Sequence, residues 1–73
     1  MGYNYNFQRL KGRIKEYYGS IDNFANELNI SRVTLSYKLN NRIKFNYDEV
    51  LFIIDKLHIQ PKEIKDIFFS LKS

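Results

Sequence analysis

Cysteine and tryptophan are absent from this 73-residue chain, and proline, histidine and alanine each occur once. Without cysteine there is no disulfide framework and no thiolate metal site, and the lone His58 has no second ligand near it in sequence. Long apolar runs are missing as well. The longest, Val50 to Ile54, is five residues, against the roughly 20 that a membrane-spanning helix needs. No signal-peptide pattern opens the chain, and Asn6 stands where a myristoylation signal after Gly2 requires serine or threonine. A soluble, cytoplasmic chain is therefore the expectation. Also lacking are a glycine-rich phosphate loop and a nucleophile with a base beside it. The adjacent Asp48 and Glu49 read as capping and dipole partners in a first helical turn, not as an acid–base pair. No enzymatic activity, cofactor, metal or small-molecule ligand is expected.

What is present is charge of one sign in one place. The formal net charge is +4, and it is not spread evenly. Residues 1–19 carry +3 and residues 20–30 carry −2, whereas residues 31–44 carry +4 with no carboxylate at all; the remainder sums to −1. A local excess of this kind is the electrostatic footprint of a surface that meets a polyanion. A chain of this length has room for one small domain, 1–73, with a core that buries only roughly 60 to 65% of the unfolded surface.

Hydrophobic periodicity predicts helices and no strand. Phe7, Leu10, Ile14 and Tyr17 form one apolar stripe of a first helix, capped by Asn6 or Asn4 and stopped at Gly19. Gly12 in its middle is read as a point of close approach to a neighbouring helix. Ser20 caps a short second helix with Ile21, Phe24, Ala25 and Leu28 inward. Asn29 is suited to a left-handed stop, Ile30 to an apolar plug, and Ser31 to a fresh N-cap. The third helix runs from Arg32 to about Asn40 with Leu35 and Leu39 buried. Asn46 and Glu49 form a capping box for a fourth helix with Val50, Phe52 or Ile53, Ile54 and Leu57 inward. Pro61 opens a fifth, on which Ile64, Ile67, Phe68 and Leu71 recur at helical spacing. Residues 1–5 are expected to form a flexible arm. The fold class is all-α: a compact five-helix bundle.

The second and third helices, joined by a turn of three or four residues with the third polar and basic outside, have the plan of a helix-turn-helix over residues 20–40. "FANELNISRVTLSYKLN" resembles the helix-turn-helix of the lambda repressor and Cro superfamily, the XRE-like proteins. "LKGRIKEYYGS", "TLSYKLNNR" and "EIKDIFF" resemble short Cro-like regulators of phages and prophages of Gram-positive bacteria. Ile21 stands where many such proteins have glutamine, and Lys38 where many have an apolar residue.

The resemblance implies a lambda repressor-like domain that binds double-stranded DNA and acts as a Cro-type repressor by operator occupancy. Arg32, Val33, Thr34, Ser36 and Tyr37 would then meet base edges. Ser20, Ser31, Lys38, Asn40, Asn41, Arg42 and Lys44 would meet the DNA backbone. Ile64, Ile67, Phe68 and Leu71 present more apolar surface than a small bundle easily hides, and two readings stay open for them: a homodimer contact or closure of the core. The rival to DNA binding is a protein-interaction module, an antirepressor or antitoxin component that turns the same scaffold toward a protein partner.

Overall fold

In the computed structural model, which describes residues 4–72, the helices are α1 (Gln8–Tyr18), α2 (Ile21–Glu27), α3 (Arg32–Leu39) and α4 (Tyr47–Lys56). A 3₁₀ turn (Pro61–Glu63) then leads directly into α5 (Ile64–Phe68). There is no strand among the described residues, and the one departure from helix and loop is an isolated antiparallel bridge between Tyr5 and Leu71. A radius of gyration of 11.4 Å matches the value of about 11 Å expected for a single domain of this length.

The helix boundaries follow from local hydrogen bonding. Gly19, at φ 82°, closes α1 with its N–H on Lys15 O at 3.0 Å. Ser20 Oγ accepts the Asn23 N–H at 3.1 Å and Ser31 Oγ accepts the Thr34 N–H at 3.0 Å, so both serines satisfy first-turn donors. Asn46 and Glu49 form the reciprocal capping box of α4, at 2.7 and 2.9 Å. The start of α1 differs from expectation. Phe7 is its N-cap, with no side-chain cap, while Asn6 Oδ1 accepts the Gln8 N–H at 3.0 Å.

The core is drawn from every helix: Leu10 and Ile14, Phe24 and Ala25, Leu35 and Leu39, Ile53, and Ile67 and Phe68 are buried, joined by Phe7, Leu57 and Ile59. Ile67 and Phe68 are therefore interior to a single copy of the chain, and Ile64 packs half-buried against them. Of Ile64, Ile67, Phe68 and Leu71, only Leu71 is exposed, and it lies past the end of α5. The fifth helix is shorter than its apolar spacing suggests because the chain turns back after Phe69 to pair with the N-terminal segment. The Asn6 N–H donates to Ser70 O at 2.6 Å and the Lys72 N–H to Asn4 O at 2.9 Å.

Of the expected flexible arm, residues 1–5, this pairing takes in the last two. Residues 4 and 5 are held in the fold, and residues 1–3 lie outside the described residues. Gly12 is also corrected: a Cβ built there meets nothing within 4 Å, so no neighbouring helix approaches it.

Candidate functional site

α2 and α3 pack against each other and are joined by residues 28–31. Asn29 takes the left-handed conformation at φ 59°, which asparagine tolerates better than most residues because its short polar side chain bonds locally. The Ile30 N–H then reaches back to Ala25 O at 3.1 Å. Ile30 itself packs on the core, and Ser31 starts α3. With Leu35 and Leu39 inward, the opposite side of α3 faces solvent.

The expected base-contacting residues lie on or beside that outer face. Val33 is 56% exposed and Tyr37 42%. Arg32 is exposed, with Nε 2.6 Å from Asp22 Oδ1 on α2. Ser36 and Thr34 are half-buried. The Thr34 hydroxyl is engaged with Ser31 Oγ at 2.9 Å, so this pair is first of all an N-cap.

The expected backbone clamps divide. Arg42 and Lys44 are exposed; the Arg42 guanidinium lies 5.5 Å over the Tyr37 ring and the Lys44 ammonium 5.9 Å over that of Tyr5. Asn40 is exposed, but its Nδ2 donates to Ser36 O at 2.9 Å. Ser20 is occupied as a cap.

Two residues of that set are turned to other work. Lys38 is only 7% exposed. Its ammonium donates to Glu49 Oε1 at 2.9 Å and to Lys44 O at 3.3 Å, with the Phe45 ring 5.8 Å away. A lysine stem is apolar enough to line a core rim while its head finds a partner, and here that partner is the capping-box carboxylate. Asn41, at φ 66°, grips Tyr5: its Oδ1 accepts the Tyr5 N–H at 2.8 Å and its Nδ2 donates to Tyr5 O at 3.0 Å. Lys38 is thereby withdrawn from the outer face, and Asn41 is committed to Tyr5.

A feature missed in sequence is the division of labour along α1. Arg9 and Arg13, four apart, point to acids elsewhere: Arg9 lies 3.7 Å from Asp66, and Arg13 binds Glu63 and the Leu57 carbonyl. Lys11 and Lys15, also four apart but on another face, have no ion-pair partner among the described residues. They flank a groove of about 430 Å³ between α1 and α3, to which Gly12, Arg32, Ser36 and Asn40 also contribute. The signal was present in the i, i+4 spacing, but spacing does not say which pair has acids opposite it. The carboxyl of Glu63 is held below the ordinary glutamate value by the Gln60 N–H, with the Arg13 guanidinium adding to the effect.

No helix among the described residues is long and apolar enough to cross a membrane.

Compared with known proteins, residues 1–71 match the family model described as "Protein of unknown function (DUF739)". No curated protein matches. Among solved structures, the chain is similar to the solution structure of the modulator of repression (MOR) of the temperate bacteriophage TP901-1 from Lactococcus lactis. The TM-score is 0.78 and the identity 35%, covering 90% of this chain and 89% of that one.

Proposed function

The chain belongs to the DUF739 family, and we propose that it serves there as a phage or prophage regulator of transcription that binds duplex DNA through α3. In this reading α2 and α3 form a lambda repressor/Cro-like helix-turn-helix, and the outer face of α3 enters the major groove, whose width of about 12 Å admits one helix. The observation that carries it is the exposure of Arg32, Val33 and Tyr37 on a segment with no carboxylate of its own. The 35% identical relative, titled a modulator of repression, supports a regulatory role.

Arg32 is the specificity residue of this reading. Its pair with Asp22 is exposed on both sides, and an exposed ion pair is worth roughly 0 to 1 kcal/mol, so exchanging it for a guanine edge costs little. The methyls of Val33 and Thr34 suit thymine. Arg42, Lys44 and Asn40 meet phosphates. Regulation is by occupancy of an operator and needs no catalytic group. A second copy would double the reading surface, with half-sites about 34 Å apart.

Selection of bound sequences from a random duplex pool, followed by gel shifts between about 50 and 200 mM salt, tests the proposal; binding should weaken by orders of magnitude over that range. Arg32→Ala is expected to lose about 1 to 3 kcal/mol on the selected site and to relax one base position. Equal loss on every sequence would remove Arg32 from that role.

A second reading is favoured by a specific observation. With Lys38 withdrawn and Arg32 charge-paired, the apolar surfaces of Val33 and Tyr37 form a larger share of the face than the sequence suggests. Such a face also suits a protein partner, a repressor being the natural one for a modulator. Binding to that protein with weak salt dependence, and no selected DNA sequence, would establish it in place of the first.

A further inference from the structure

Gly12 lies in the middle of α1. A glycine in mid-helix costs about 1 kcal/mol relative to alanine, and the space its side chain would occupy is open. That space belongs to the groove between α1 and α3, with Lys11 and Lys15 on the α1 wall and Arg32, Ser36 and Asn40 on the α3 wall.

The α3 wall is one helical stripe, because 32, 36 and 40 recur every four residues. It borders the outer face of α3 on one flank. Val33 and Tyr37 form the next stripe round the helix, and the Arg42 guanidinium lies over the Tyr37 ring on that side. A helix seated in the major groove is bordered by a phosphate strand on each flank. Arg42 and Lys44 supply cations to one flank only. The other flank opens on Lys11 and Lys15, which have no carboxylate at ion-pair distance among the described residues. The recess continues past Lys11 to Gln8 and Lys72.

We propose that the α1–α3 groove is a second DNA-backbone clamp, in which Lys11 and Lys15 hold one phosphodiester strand and Gly12 lets the sugar-phosphate chain lie against bare helix. This rests on the duplex-binding reading above. Arg32 is held by Asp22 in the free chain and by the guanine edge in the reading above, so the attraction for a phosphate strand comes from the two lysines. Charge decides the occupant: two unpaired ammonium groups beside a gap in the side-chain cover suit a thin polyanion. An acidic peptide is the alternative outcome of the test.

The experiment uses the full chain and two duplexes, the selected operator and a random sequence, with affinity read by fluorescence anisotropy across a salt series and thermal stability measured alongside. The Lys11→Ala, Lys15→Ala double variant should weaken both duplexes alike and reduce the slope of log affinity against log salt by about 2. Gly12→Gln separates ligand contact from folding. It should leave the melting temperature equal or higher, since glutamine is the better helix former and nothing is in its way, yet weaken binding to both duplexes. Duplex binding unchanged in both variants overturns the clamp while leaving the α3 reading in place. Loss of binding to polyglutamate, titrated as a third ligand, with duplex binding unchanged, overturns it in favour of the peptide. A wild-type chain that binds neither duplex at low salt overturns the DNA reading and the clamp together.

Discussion

The Lys38 ammonium, between Glu49 and the Lys44 carbonyl, ties the end of α3 to the start of α4. Removing one partner of a buried pair leaves the other poorly solvated, whereas replacing a charge by an apolar group of similar shape is often neutral. Glu49 keeps some contact with water and still caps α4, which lowers the penalty. Lys38→Ala is accordingly expected to lose about 1 to 3 kcal/mol in denaturant unfolding, and Lys38→Met less than about 1. Lys38→Met should bind any ligand of α3 as the wild type does. Glu63 gives a second prediction at this scale. Its folded-state affinity for a proton is lowered, so in acid the unfolded chain takes up the proton first. The stability it contributes is present above the ordinary glutamate range and is lost as pH falls through its depressed folded value. Thermal unfolding of the wild type should show this loss on the acid side, and Glu63→Gln should show less of it.

At the scale of the element, α5 is five residues long, too short to be helical by propensity. It exists because Ile67 and Phe68 are buried between it and the rest of the core. Ile67→Ala is expected to cost about 2 to 5 kcal/mol, as for other large-to-small core changes. Leu71→Ala, 54% exposed, should stay within about 0.5 kcal/mol, and denaturant midpoints will separate the two. α2 and α3 are also short, and their ends are set by Ser20, Asn29 and Ser31. Their placement follows from caps and from the buried residues behind them, which leaves Val33 and Tyr37 turned to solvent.

Across the whole molecule, residues 4–6 and 70–72 pair with each other and are joined through Tyr5 to the turn after α3. Asn41 holds Tyr5, Tyr5 bridges Leu71, and the Asn6 and Lys72 N–H groups complete the pairing. The turn that carries Arg42 and Lys44 is thereby tied to both of these segments. Asn41→Ala breaks two hydrogen bonds, each worth about 1 kcal/mol net, and also strains the positive φ. Asn41→Gly keeps that φ free of strain and loses only the clasp. Both variants should speed amide exchange at Tyr5, Asn6 and Lys72 by more than at Leu35, and Asn41→Ala should be the less stable.

The sequence by itself determined where the first four helices lie, the N-caps of α2, α3 and α4, and most of the core. Those features rest on interactions within three or four residues and on a periodicity that local geometry enforces: Ser31 to Thr34, Asn46 to Glu49, Leu35 to Leu39. The same locality made α3 legible as an outward, acid-free face. Only the tertiary structure decided which polar groups of the chain are already committed. Asn41 meets Tyr5 across 36 positions, Arg13 meets Glu63 across 50, and Lys38 meets Glu49 across 11. Periodicity assigns a side chain to a face but carries no record of what stands opposite. A long lysine stem on the border between core and solvent goes wherever a partner is found, and an open glycine looks the same in sequence as a crowded one.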